Sequence, residues 1–117
     1  RKMWITNGCI DDAGTPCDMV WLYACSGTTD KGKKQISTFI IEKNDKGFSV
    51  GQKIKDKLGM RASNTAELVF DNCSIGSDRL VGELGDSSTH MMKNLEIERL
   101  TLAAMSLGIA RRSVDVM

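Results

Sequence analysis

Met19-Val20-Trp21-Leu22-Tyr23-Ala24-Cys25 is a nearly continuous apolar run. It is too short for a good helix, and its aromatic and β-branched content is that of a buried strand. On its N-terminal side, Lys2 to Thr6 is a short β-rich run that ends at the turn signal Asn7-Gly8. Between the two, Asp11 to Pro16 is polar and turn-rich, which predicts a loop. On the C-terminal side, Ser26 to Lys34 reads as a Gly/Thr/Lys loop and Ile36 to Glu42 as the next strand. Asn44-Asp45-Lys46-Gly47 then turns the chain into Phe48-Ser49-Val50. The alternation of Lys53, Lys55 and Lys57 predicts one solvated strand face. Ala66-Glu67-Leu68-Val69-Phe70 is a further strand, closed by Asp71-Asn72. Short strands at this spacing predict a mainly β domain, an antiparallel barrel or sandwich.

The pattern changes at Gly85-Asp86-Ser87-Ser88-Thr89, a helix-start cluster with several candidate N-caps. From His90 to Met117 only Gly108 interrupts a helical pattern. Met91, Leu95, Leu102, Met105 and Ile109 recur at steps that keep them on one face. A second apolar row holds Leu100, Ala103, Leu107, Ala110 and Val114. A helix apolar on two faces needs partners, and no other helix is present to supply them. The expected organisation is a β-domain over 1–84 and one long helix over 85–117, belonging to a truncated helical bundle. Both ends of the chain look cut, so a piece of a longer protein is expected.

Composition narrows the function classes. A chain of 117 residues supports one modest core. With 16 Lys and Arg against 15 Asp and Glu, there is no net field to steer nucleic acid or an acidic lipid surface. No apolar run approaches the roughly 20 residues of a membrane span, and no signal or transit peptide is visible. Cys9, Cys17, Cys25 and Cys73 form no CxxC pair, and His90 is the sole histidine, so a zinc site is not expected. The cysteines read as reduced and mostly buried small hydrophobes.

One residue breaks the helical stripe. Between Leu95 and Leu102 the same face carries Glu98 where the pattern asks for Leu. Burying a charge costs several kcal/mol unless it is paired. Desolvation raises a carboxyl toward neutrality, where it becomes a useful general base. The plainer reading is an ion pair with Arg99 or with a residue outside this chain. Arg99 lies about 100° around the helix from Glu98, where it could instead meet Glu96, a pairing worth only a few tenths of a kcal/mol.

Four segments carry a resemblance. Lys2-Met3-Trp4-Ile5-Thr6-Asn7-Gly8 resembles the K-x-W-I-T-N-G segment of acyl-CoA dehydrogenases. Lys57-Leu58-Gly59-Met60-Arg61-Ala62-Ser63-Asn64-Thr65 resembles their K-x-G-x-R-x-S-x-T segment. Asp71-Asn72-Cys73 sits where they have F-x-D-x-x-V/I-P, and Leu95-Glu96-Ile97-Glu98-Arg99-Leu100 is similar to the L-D-L-E-R-L stretch of the isovaleryl branch. Order and spacing match across nearly the whole chain.

The resemblance implies an FAD-dependent enzyme that oxidises an acyl-CoA between its α and β carbons. Trp4 is expected against the isoalloxazine and the Thr6 hydroxyl near flavin N5, with Ile5 contributing backbone. An aromatic face suits a flat π-system, and a hydroxyl near N5 tunes the hydride acceptor. By residue pattern alone, Trp4 would read as a core aromatic. The isovaleryl and long-chain branches carry the catalytic base at the position of Glu98. Glu96, Ile97 and Arg99 are expected at the thioester end of the substrate, and Lys33 and Lys34 at a loop where relatives touch CoA. Two loop lysines are equally compatible with plain solvation. Arg61, Ser63 and Thr65 are expected to organise a turn.

The implied substrate is a short branched acyl-CoA, isovaleryl-CoA (leucine catabolism), with a long-chain acyl-CoA or a non-catalytic packing domain as alternatives. The parent is expected to be a homotetramer of the mitochondrial matrix that passes electrons to electron-transferring flavoprotein. Ser74-Ile75-Gly76-Ser77 lacks the proline of the family pattern, and residues 9–17 form a longer loop than that pattern has.

Overall fold

The computed structural model describes residues 1–117. Six strands come first: β1 (Lys2–Thr6), β2 (Met19–Thr28), β3 (Lys34–Glu42), β4 (Phe48–Ile54), β5 (Thr65–Phe70) and β6 (Leu80–Val81). A 3-10 turn at Ser77–Arg79 precedes β6, and the helix α1 spans Ser87–Val116. The strands form two three-stranded sheets, ordered β1-β5-β4 and β2-β3-β6. The expected fold class holds: mainly β and antiparallel, with one C-terminal helix. The sheets stay separate, so there is no closed barrel.

Two compact units divide the chain, Arg1–Ala24 with Thr38–Val81, and Cys25–Ser37 with Gly82–Met117. The core lies in the first. Val20, Ile41, Phe48 and Leu68, one residue from each of four strands, form its buried centre. Ile5, Leu22, Phe39, Val50 and Phe70 pack against them. Phe48 and Phe70, opposite each other on β4 and β5, stack with ring centroids 5.2 Å apart. Such a pair adds about 0.5–1.5 kcal/mol beyond its buried area. Gly47 enters β4 at φ 88°, and Asp71 N donates to its carbonyl at 2.8 Å. The two backbones approach so closely that a Cβ at Gly47 would run into Asp71 O.

Several expectations need correction. The Met19–Cys25 run is not buried on both faces: Val20 is buried, but Met19, Trp21 and Cys25 are exposed. Hydrophobicity alone does not show whether a strand has one covered face or two. The 26–34 loop is shorter than expected, because β2 runs to Thr28 and β3 begins at Lys34. Thr29 N donates to Lys33 O at 2.8 Å and closes the turn. Hairpin pairing overrides the loop-like composition there. The three alternating lysines do not share a strand. β4 ends at Ile54, Lys53 pairs with Asp12, and Lys57 turns inward to Ser63 O at 2.5 Å and Thr65 Oγ1 at 2.8 Å. All four cysteines are free, but only Cys9 is fully buried.

Residues 9–16 make a small hairpin, with Cys9 bridged to Pro16 and Ile10 N donating to Thr15 O at 2.9 Å. Asp11 ties the tip by accepting from Thr15 N at 2.9 Å and Thr15 Oγ1 at 2.6 Å. Asp12 clips the hairpin to β4 through Lys53. The Thr15 hydroxyl bond holds the Asp11 carboxyl below its ordinary range, and the Lys53 ammonium does the same for Asp12.

In the second unit the helix start is tied to β3. Gly85 N donates to Ser37 Oγ at 2.8 Å, Ser26 and Ser37 hydroxyls lie 2.6 Å apart, and Ile36 bridges Asp86 in parallel sense. The Asp86 side chain does not cap the helix; it lies 3.5 Å from His90 one turn on. Beyond Leu95 every residue of α1 is exposed.

Two outcomes follow. Gly47→Ala combines a positive φ with a backbone collision, and should destabilise the β-unit by about 2–4 kcal/mol in urea unfolding; a loss under half a kcal/mol would mean the β4 entry is looser than described. Depressed Asp11 and Asp12 carboxyls contribute order that is present above the ordinary carboxyl range and lost as pH falls through the depressed values. Hydrogen exchange across residues 9–17 should therefore accelerate below that range before the β4–β5 amides respond, and simultaneous loss would argue against a separate clip.

Candidate functional site

β1 is an edge strand with one residue too many. Lys2 lies opposite Leu68, but Ile5 lies opposite Ala66, so Met3 and Trp4 share one place in the ladder. Trp4 takes up the excess at φ 59°, a left-handed conformation that a bulky residue adopts only in a bulge or turn. The indole is 65% exposed, while the next residue, Ile5, turns back onto the core. Thr6 pairs with Thr65 and is exposed, and its hydroxyl makes no hydrogen bond within the chain. Asn7 N donates to Asn64 O at 2.7 Å, and Gly8 N to Ile5 O at 3.1 Å, so the segment is held at its C-terminal end. The plain expectation of Trp4 as a core aromatic is not met.

Lys33 and Lys34 sit at the β2–β3 turn, both exposed. The turn is ordered by Thr29, whose hydroxyl accepts from Lys33 N at 3.1 Å. Neither ammonium group has an ion-pair partner, so both are free to meet an anion.

On α1, Glu96, Ile97, Glu98 and Arg99 are all exposed. Glu98 is not paired with Arg99; its carboxylate accepts from Asn94 Nδ2 at 2.9 Å, one turn earlier. Thr101 Oγ1 bonds back to the carbonyls of Ile97 at 3.2 Å and Glu98 at 2.9 Å. Arg99 forms no ion pair with Glu96. Glu98 lies twelve residues past Asp86, about 18 Å along the helix. Leu95 is partly covered, whereas Leu102 and Met105 on the same stripe are exposed. No side-chain hydrogen bond joins any two of the nine residues singled out by sequence.

A polar cavity of about 360 Å³ lies elsewhere in the first unit, lined by Asp12, Lys53, Lys55, Asp56, Arg61 and Ser63. Its charges are largely internal: Asp12 holds Lys53, and Arg61 Nε donates to Lys57 O at 2.9 Å. With Lys57 bonded to Ser63 and Thr65, residues 57–65 organise their own turn, as expected for Arg61, Ser63 and Thr65. No cluster of His, Cys, Asp and Glu is placed to hold a metal.

Sequence reasoning passed over Glu67. It is 9% exposed in the middle of β5 and accepts from Arg1 Nη1 at 3.1 Å. The available signal was a single charge inside the otherwise apolar Ala66–Phe70 run.

The family model described as "Acyl-CoA dehydrogenase, middle domain" matches residues 1–73. The chain is 43% identical over 116 residues to isovaleryl-CoA dehydrogenase, mitochondrial, of Oryza sativa subsp. japonica, covering 99% of this chain and 26% of that protein. Among solved structures, the acyl-CoA dehydrogenase of Geobacillus kaustophilus superposes with a TM-score of 0.71 at 30% identity, over 86% of this chain and 25% of that one. An acyl-CoA dehydrogenase of Bacillus anthracis, complexed with FAD, superposes with a TM-score of 0.55 at 31% identity, over 72% of this chain and 12% of that one. The chain thus spans about a quarter of the length of the curated relatives it matches, 26% for the rice protein.

Proposed function

The chain belongs to the acyl-CoA dehydrogenase family, and we propose that the protein carrying it uses FAD to dehydrogenate a short branched acyl-CoA, with isovaleryl-CoA as the preferred substrate. The observation that carries this reading is the bulge in β1. It turns the Trp4 indole away from the core and leaves the Thr6 hydroxyl unpaired, so an aromatic face and a hydrogen-bonding group are both free for a flat, polar-edged ring. These features fit FAD, which the Bacillus anthracis relative holds.

When bound, FAD supplies the hydride acceptor for the substrate's β-carbon. Trp4 and Thr6 would hold the isoalloxazine, with Ile5 setting the backbone between them. Glu98 would take the α-proton as general base. The exposed carboxylate needs desolvation for that role, and the stripe around it provides for this: Leu95, Leu102 and Met105 give an apolar surround once other parts of the full-length protein cover α1. Glu96, Ile97 and Arg99 would line the thioester end. Lys33 and Lys34 would meet the phosphates of CoA as two cations without internal partners.

The Glu98 position, shared by the isovaleryl and long-chain branches, is consistent with this substrate, and the rice relative, whose name is isovaleryl-CoA dehydrogenase, supports it. That relative is mitochondrial by name, which supports the matrix for a eukaryotic parent. Electron-transferring flavoprotein as oxidant and a homotetrameric assembly complete the reading.

Residues 1–117 alone should show no acyl-CoA oxidation above buffer with an artificial electron acceptor, because Trp4 and Glu98 both stand in water. In the full-length protein, isovaleryl-CoA should bleach the flavin absorbance rapidly and a long straight-chain acyl-CoA slowly; the reverse order would move the substrate assignment to the long-chain class. Glu98→Gln should lower turnover by about 100- to 10,000-fold with flavin still bound. Turnover within a few-fold of wild type would place the base elsewhere.

A further inference from the structure

Glu67 is the one charged side chain of β5 and is almost fully buried, yet it does not face the core. Strand alternation puts Ala66, Leu68 and Phe70 on the core side, and Thr65, Glu67 and Val69 on the other. Both neighbouring strands carry their extra residue opposite Glu67. On one side, Met3 and Trp4 fall between the pairs Lys2↔Leu68 and Ile5↔Ala66. On the other, Gly51 and Gln52 fall between Val50↔Leu68 and Lys53↔Ala66.

The fit on the β4 side depends on a missing side chain. A Cβ at Gly51 would overlap Glu67 Oε2 and lie 2.9 Å from its Cδ and 3.0 Å from Val69 Cγ2. The Glu67 carboxyl therefore fills the space above the β4 bulge. On the β1 side its Oε1 accepts from Arg1 at 3.1 Å, while Lys2 Nζ on the opposite face donates to Tyr23 O at 2.7 Å. These two contacts hold the N-terminal side of the bulge, and the Ile5–Gly8 contacts hold the other.

The alternative register shows what is at stake. Without the bulge, Trp4 would stand opposite Ala66 with its indole on the core face, and Ile5 would turn out to solvent. We propose that Glu67 is a positioning residue for the cofactor segment: seated over Gly51 and bonded to Arg1, it selects the bulged register of β1 and so aims Trp4 outward. This inference rests on the flavin reading given above. Glu67 touches neither cofactor nor substrate; it acts through the backbone of residues 2–6.

The test uses the full-length protein as wild type, Glu67→Gln, Gly51→Ala and Arg1→Gln, with Glu83→Gln as a control. Hydrogen exchange across residues 2–8 is read in the flavin-free protein, and FAD affinity and the visible flavin band in the loaded one. The first three variants should exchange about three- to tenfold faster than wild type, hold FAD more weakly by a similar factor and shift the flavin band, while the control does none of these. Unchanged exchange in Glu67→Gln and Gly51→Ala overturns the proposal. So does faster exchange with FAD affinity and the flavin band unchanged, since Glu67 would then serve the sheet alone. If Gly51→Ala does not fold, Arg1→Gln, a change at an exposed side chain, carries the same comparison. A wild type that takes up no FAD overturns the cofactor reading, while the exchange comparison still decides whether Glu67 sets the register.

Discussion

The side chain of Leu68 is completely buried, and the registers of both strands beside β5 are measured from it. Lys2 stands opposite it on β1 and Val50 on β4. A residue of this kind contributes about 1.5–3 kcal/mol by leaving water, and its loss from a packed core costs more because a cavity remains. The sheet cannot slide past it without turning its core face outward. Two residues along β5 and three along each neighbour, the ladder resumes at Ala66, one residue late on both sides. The extra residues are thereby confined between two fixed points. That confinement puts Trp4 at a positive φ and brings Gly51 against a buried carboxylate.

Polar anchoring then finishes what the core begins. The loop at 9–17 is closed on itself by Asp11 and Thr15, and is attached to β4 by Asp12 and Lys53. Lys57 draws the 57–65 turn together from within, leaving Leu58 and Met60 at its exposed tip. Ser37 plays the same part for the start of α1. Most of these anchors are single hydrogen bonds or ion pairs at least partly in water, where solvent screening keeps each of them weak. They order turns and leave overall stability to the core.

The candidate site has two kinds of components. The proposed cofactor segment is built into the sheet, where pairing on one side and core packing by Ile5 give it a defined shape. Glu98, the proposed base, in contrast stands on the part of α1 that is exposed beyond Leu95, and its carboxylate has Asn94 as its hydrogen-bond partner. A general base gains its strength from burial. In the proposed reading, the segment from Glu96 to Arg99 therefore stands in a medium, water, that does not make a carboxylate a strong base. The apolar stripe beside Glu98 marks where an apolar medium has to be supplied.

Much was legible from the residues. Strand positions followed from apolar runs punctuated by Asn-Gly and Asp-containing turns, and the helix from a stripe at steps of three and four. The interruption of that stripe singled out Glu98, and the four family-like segments pointed to Trp4 and Thr6. Other features were not legible. A continuous apolar run such as Met19–Cys25 looks the same whether one face is covered or two. Three alternating lysines look like a solvated face, although Lys53 and Lys57 find partners and both Lys55 and Lys57 lie outside the strand. A bulge leaves no mark in composition, because it is a mismatch between two strands distant in sequence. What the sequence by itself determined was where the longer strands and the helix form, since that depends on local propensity and periodicity, and which side chains are candidates for chemistry, Glu98 by its break in the stripe and Trp4 and Thr6 by resemblance. Where Trp4 points, why Gly51 has no side chain and what Glu67 is for were decided only by the tertiary structure, because register belongs to the pairing of strands and to neither strand alone.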